Sequence, residues 1–251
     1  MNPTAVLGRK FRVAALRARD AVATLRNEGP GAALRYGAGV FRAVVHPPPA
    51  PRKTNPIDEE FGTDTAQSAK LHDLHISGSN YRYGVYYQAT RFGTLQEVLG
   101  RLPVEPSSCT FIDFGSGKGL VVLKAAAYPF KKVMGVEFAR ELHETAQRNV
   151  AMYPPELRRA EIELVHMDVM EFEPPPGDLV IYLFEPFEAP LTKRLLSRMD
   201  QLRHGRQLIV AYVWSRNSRL SSKPLWDGAA FLTHCDQGEG WTIYRACRPA
   251  D

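Results

Sequence analysis

Apolar residues recur along this chain with two spacings. Short runs, apolar throughout or alternating, lie at 110–113, 132–138, 162–165, 178–184 and 207–214 and predict strands. Apolar positions three and four apart predict helices at 118–128, 139–152 and 189–203. The run 178–184 is apolar in nearly every position, as a strand buried on both faces should be. Strand and helix therefore alternate, and the right-handed crossover rule makes the sheet parallel and doubly wound. Two later runs, 229–235 and 241–247, flank Asp236-Gln237-Gly238-Glu239-Gly240 and predict a hairpin, which brings the strands to seven.

The pattern upstream is different. Phe11, Ala14, Ala15, Ala18, Val22 and Leu25 share one face of a helix over 8–26, and Gly29-Pro30-Gly31 ends it. A second short helix is expected at 32–45, then a stiff connector, His46-Pro47-Pro48-Pro49-Ala50-Pro51. Phe92, Leu95, Val98, Leu99 and Leu102 predict one more helix, with Thr90 as its N-cap and Gly100 and Pro103 closing it. Three regions follow: a basic helical extension at 1–50, a linker and cap or lid at 51–104, and a ligand-binding α/β domain at 105–251.

The chemistry centres on Asp113-Phe114-Gly115-Ser116-Gly117-Lys118-Gly119, where a strand gives way to a tight turn and a helix start. A phosphate-binding P-loop is excluded, because Ile112 holds its first glycine position and Gly119 replaces the magnesium-binding hydroxyl. A dinucleotide fingerprint is excluded by Leu120 in place of its third glycine, and Asp113 would repel a pyrophosphate. S-adenosylmethionine has no phosphate and carries cationic sulfonium and ammonium groups, which carboxylates favour. Glu137 ends the second strand 18 residues after Gly119; it either holds ribose hydroxyls, as acids do there in doubly wound folds, or caps the next helix.

The pattern D-x-G-x-G-x-G resembles motif I of class I S-adenosylmethionine-dependent methyltransferases, with Asp113, Gly115, Gly117 and Gly119 in place, and the likeness spans roughly 90–248. The resemblance implies that Asp168 binds the adenine amino group with Val169 against the ring, and that a last antiparallel strand inserts beside the fifth. Tyr87-Gln88-Ala89-Thr90 resembles the Y-G-E-T segment of the non-SET histone-lysine methyltransferases, with Ala89 replacing the glutamate. A closer likeness is to uncharacterised bacterial class I methyltransferases with F-x-D-x-G-S-G-K-G and an upstream Y-G-x-D-T segment, matched here by Phe61-Gly62-Thr63-Asp64-Thr65. The expected cofactor set is Thr90, Asp113, Gly115, Ser116, Gly117, Gly119, Glu137, Asp168, Val169 and Phe184.

The acceptor is expected at Phe184-Glu185-Pro186-Phe187, where amino-methylating enzymes carry an N/D-P-P-Y/F motif. A glutamate suits a cationic or protonated amine and could take its proton. Glu185, Phe187 and Tyr87 are the candidate catalytic residues. Tyr81, Tyr83, Tyr86 and Tyr87 form either an acceptor rim or a packed cap. One rival activity is O-methylation of a small hydroxylated metabolite, with Trp214 in the pocket and His234 or His204 as base. A cofactor-binding interaction protein without catalysis is the other rival, and the three acids argue against it.

Composition changes this picture little. With 44% hydrophobic residues in 251, the chain can bury a full core. Cys109, Cys235 and Cys247 lack metal or disulfide spacing, and His72 and His75 have no evident third ligand, so no metal is expected. No apolar run reaches the roughly 18 residues of a membrane span, and a cytoplasmic protein is expected. Residues 1–50 hold eight Arg and Lys against Asp20 and Glu28, a net of +6, while the remainder holds 24 against 25, a net of −1. The extension is thus either a packing element or a basic anchor on an acidic surface.

Overall fold

The computed structural model describes residues 55–67, 89–215 and 222–247, together with Pro30. Chain contacts separate Met1–Ala50 from Pro51–Asp251, and the description below concerns the second unit. The helices expected at 8–26 and 32–45, His72, His75, and the tyrosine-rich stretch with Tyr87 lie outside the described residues.

Seven strands form one sheet: β1 (Cys109–Phe114), β2 (Lys132–Glu137), β3 (Ile162–His166), β4 (Asp178–Phe184), β5 (Leu208–Val213), β6 (Leu232–Gly238) and β7 (Trp241–Ala246). Their order is β3-β2-β1-β4-β5-β7-β6. The first five strands are parallel, and β7 runs antiparallel to both β5 and β6. Among the described residues of this unit, six α-helices accompany them: α1 (Pro56–Phe61), α2 (Phe92–Gly100), α3 (Leu120–Ala125), α4 (Arg140–Met152), α5 (Ala189–Leu202) and α6 (Lys223–Asp227).

Period-two alternation sends the strand side chains to two cores. Phe111, Val180, Tyr182 and Ile209 meet α2 and α3 through Leu95, Val98, Val121 and Val122. Ile112, Phe114, Ile181 and Leu183 meet α5 through Leu191, Leu195 and Met199. Each such buried side chain contributes about 1.5–3 kcal/mol, which makes a register slip prohibitive. Strand order reverses between β1 and β4, and the carboxyl ends at that point are where open α/β sheets bind ligands.

The pattern-based limits need four corrections. The helix expected at 118–128 begins only at Leu120, because Gly117 and Gly119 hold φ of 54° and 87°. Thr90 is not an N-cap: Arg91 occupies that position without a side-chain hydrogen bond, and the Tyr182 hydroxyl donates to Thr90 Oγ1 (3.3 Å) instead. β6 runs on through Asp236, Gln237 and Gly238, leaving Glu239 and Gly240 as the turn, with an irregularity between His234 and Asp236. α6 has no counterpart in the sequence pattern, since five residues starting Lys-Pro are too short to show a period.

Candidate functional site

The glycine turn is fixed from three sides. The backbone N–H groups of Gly115 and Ser116 both donate to Val136 O (2.9 and 3.1 Å), which ties the turn to β2. Gly115 has φ 78°, and a Cβ there would lie 2.9 Å from Pro186 Cβ. The turn and the Glu185-Pro186-Phe187 loop are therefore in backbone-close contact, and only glycine satisfies both the conformation and the space. Beneath the turn, a Cβ on Gly135 would fall 2.9 Å from Ser116 Oγ and 2.8 Å from Val122 Cγ2. The Ser116 hydroxyl thus points at the sheet, and only its backbone runs along the turn.

Two carboxylates sit at the ends of β1 and β2, both 3% exposed. Glu137 Oε2 accepts the Gly117 N–H and Oε1 accepts the Ala139 N–H, each at 2.8 Å. Burial outweighs these hydrogen bonds and pushes its carboxyl up to about 7. Burial, and then the proximity of Glu137, hold the Asp113 carboxyl well above its ordinary value. Among the described residues, no opposite charge acts on either carboxyl to ionise it comfortably. Tyr182 pairs with Asp113 across β1 and β4. Burial is the main cause of the rise in its phenol pKa, and its hydrogen bond to Thr90 joins that residue to the same end of the sheet.

A cavity opens beside the turn. Gly115 forms one wall, Val136 and Phe138 another, Asp168 and Val169 a third, and Phe187 and Leu191 close it. Val169 is 5% exposed, and Asp168 Oδ1 accepts the Met170 N–H (2.9 Å), which orders the loop after β3. The rings of His143 and His166 stack at 5.4 Å, and His166 Nε2 lies 3.1 Å from the carbonyl oxygen of Phe138, a lining residue.

At the end of β4, Phe184 packs into the α2–α3 core. Glu185 follows with φ 41°, the one non-glycine residue with positive φ among those described. It is buried, and Oε2 accepts the Ser215 N–H at 3.3 Å. Phe187 O accepts the Thr192 and Ser222 hydroxyls at 3.3 and 3.5 Å, which fastens the loop to α5 and to the segment before α6. Trp214 lies just past β5, stacked on Tyr212 with ring centroids 5.9 Å apart. The two candidate histidine bases are elsewhere. His234 sits on edge strand β6, bonded to Asp227 Oδ1 (3.0 Å). His204 follows α5 in the turn before β5, at the opposite end of the sheet from the glycine turn.

The fold therefore gathers Asp113, Gly115, Ser116, Gly117, Gly119, Glu137, Asp168, Val169 and Phe187 at one end of the sheet, with Thr90 linked through Tyr182, and Glu185 beside Pro186. S-adenosylmethionine fits what is there: a wall of apolar side chains suits its adenine, and buried acids suit hydroxyl, amino and cationic groups. A phosphate ligand does not fit, because the lysine of the motif, Lys118, directs its Nζ to Asp64 Oδ2 (2.8 Å). Sequence reasoning missed Asp64, Asn149 and Phe138, and it left Lys118 without a partner. The only signal for Asp64 was its place in Phe61-Gly62-Thr63-Asp64-Thr65.

Residues 65–171 match the family model described as "Histone methylation protein DOT1". A search of curated proteins found no significant match. Among solved structures, the putative methyltransferase yhhF from Escherichia coli is 15% identical, with 72% of this chain and 99% of that one covered and a TM-score of 0.46. An RNA methyltransferase from Salinibacter ruber, in complex with S-adenosyl-L-homocysteine, is 18% identical, covering 64% and 95% at a TM-score of 0.42. The ribosomal protein L11 methylase from Lactobacillus delbrueckii subsp. bulgaricus is 16% identical, covering 60% and 74% at 0.41.

Proposed function

We propose that this class I S-adenosylmethionine-dependent methyltransferase methylates an amine, either a protein lysine or a small amine, with Glu185 as the acceptor-side base. The class follows from the family-model match over 65–171 together with the sheet order and its single reversed strand. The acceptor chemistry is an inference from one observation. A buried glutamate is held at φ 41° at the carboxyl end of β4 by a loop locked against Gly115. Such a conformation is strained by about 1–3 kcal/mol and persists only where the surroundings impose it.

S-adenosylmethionine supplies an electrophilic methyl carbon when bound. The protein's part is to position and to move a proton. Asp113 and Glu137 would face the cofactor's cationic and hydroxyl groups, and Asp168 with Val169 its adenine. Glu185 would accept a hydrogen bond from the amine and take its proton, since only a neutral amine is nucleophilic. Phe187 would offer a ring face to a cationic group. Alignment of the two partners is worth up to about 7–11 kcal/mol.

O-methylation loses its proposed bases, because neither His234 nor His204 lies at the carboxyl ends of β1 and β4. Labelled methyl transfer into a cell lysate, separated into protein and small-molecule fractions, tests the amine reading. Label in amines, lost on Glu185→Gln, supports it; label confined to hydroxyl groups contradicts it.

A further inference from the structure

The lysine in the glycine turn has no phosphate to bind, and the upstream Phe61-Gly62-Thr63-Asp64-Thr65 segment has no role in the cavity wall. The structure joins the two. Residues 55–66 first fold on themselves. Asn55 Oδ1 accepts the N–H groups of Ile57 and Asp58 (2.9 and 3.1 Å). The Asp58 carboxylate accepts from Thr63 Oγ1 (2.7 Å) and from Thr65 N, Thr65 Oγ1 and Ala66 N (each 2.8 Å). Ile57 buries itself against Leu120, Leu123 and Tyr153, and Phe61 meets the Tyr153 ring edge-on at 5.1 Å.

This closed segment then grips the turn. Asn149 of α4, 2% exposed, takes Asp64 by both backbone groups: Asp64 N–H donates to Oδ1 (2.9 Å), and Nδ2 donates to Asp64 O (3.1 Å). The same Nδ2 donates to Lys118 O at 2.8 Å. Lys118, its side chain 9% exposed, reaches back to the half-exposed Asp64 carboxylate at 2.8 Å. Its side chain is thus held by Asp64 and its carbonyl by Asn149, and these two residues are bonded to each other. Lys118 sits between Gly117 and Gly119, where the backbone would otherwise have most freedom, and the Gly117 N–H is the group that binds Glu137.

We infer that Asp64, Lys118 and Asn149 form a clasp that holds the glycine turn in its ligand-ready shape, so that cofactor affinity depends on Asp64, a residue outside the cavity. Asp64 and Lys118 are positioning residues. They act by fixing beforehand what the ligand would otherwise have to order. The inference rests on the S-adenosylmethionine reading of the site.

Calorimetric titration of S-adenosylmethionine into the full chain tests it, on wild type, Asp64→Asn, Lys118→Met and the double variant, with melting temperatures measured alongside. Each single change should weaken binding about tenfold, and the double change no further than the worse single, since the two act through one contact. A merely structural clasp would lower the melting temperature and leave Kd of the folded protein unchanged. Unchanged Kd in both single variants, or losses that multiply in the double, overturns the clasp. Absence of binding by the wild type overturns the cofactor reading itself, and is told apart because it appears before any substitution.

Discussion

The ends of β2 and β4 both carry a buried glutamate, and the two are held in opposite ways. Glu137 is gripped by the N–H groups of Gly117 and Ala139, and its carboxyl is pushed up to about 7 by burial. Glu185 rests on a backbone at φ 41°, with the Ser215 N–H on its carboxylate at 3.3 Å. The first acid is part of the turn's own hydrogen bonding, so it can only serve a ligand that the turn also touches. The second is set on a loop that contacts the turn through Pro186 but belongs to a different strand and helix. One region would bind what is always the same; the other would meet what the sequence leaves open.

Substitutions can break that comparison, and the largest effect should come from the acceptor end. Glu185→Gln keeps size and hydrogen bonding but removes the base. Methyl transfer should fall by about 10²–10⁴-fold, measured by label incorporation. Next is Gly115→Ala, which forces a Cβ to 2.9 Å from Pro186 at φ 78°. It should lower unfolding free energy by about 1–3 kcal/mol in denaturant titration and weaken both functions, because it sits where the two regions touch.

Glu137→Gln sharpens the contrast through pH. The carboxyl is at about 7 in the fold against an ordinary value of 4.5. The folded protein therefore holds more protons than the unfolded chain between those values. Its contribution to stability is full below 4.5 and is lost as pH rises through about 7, by on the order of 3 kcal/mol. Glu137→Gln should flatten that fall in unfolding free energy measured across the window. The smallest effect on stability is that of Glu185→Gly, which relieves the strained φ. It should raise stability by about 1 kcal/mol in thermal unfolding while turnover is lost; a stability decrease would mean that the φ of 41° is not a source of strain.

Much of this was legible where the sequence imposes a period or a steric demand. Strand 178–184 was readable to the residue because it is apolar nearly throughout. The turn was readable because alternate glycines permit little else. The acids at strand ends were readable as a set, since each closes an apolar run. What was hidden depends on partners distant in sequence. Asp64 and Lys118 are 54 residues apart and meet only once α1 has docked. Thr90 looks like a cap locally, but the buried Tyr182 hydroxyl claims it. Positive φ at Glu185 is invisible in sequence because glutamate rarely adopts it. β6 continues through Asp236, Gln237 and Gly238 because pairing with β7 outweighs their turn-forming tendency.

The division between the two regions is tested most directly by titrating S-adenosylmethionine calorimetrically into wild type, Glu137→Gln and Glu185→Gln. One site per chain is expected, with affinity reduced about 10-fold or more by Glu137→Gln and unchanged within twofold by Glu185→Gln. Equal losses in the two variants, or no binding by the wild type, would contradict the account.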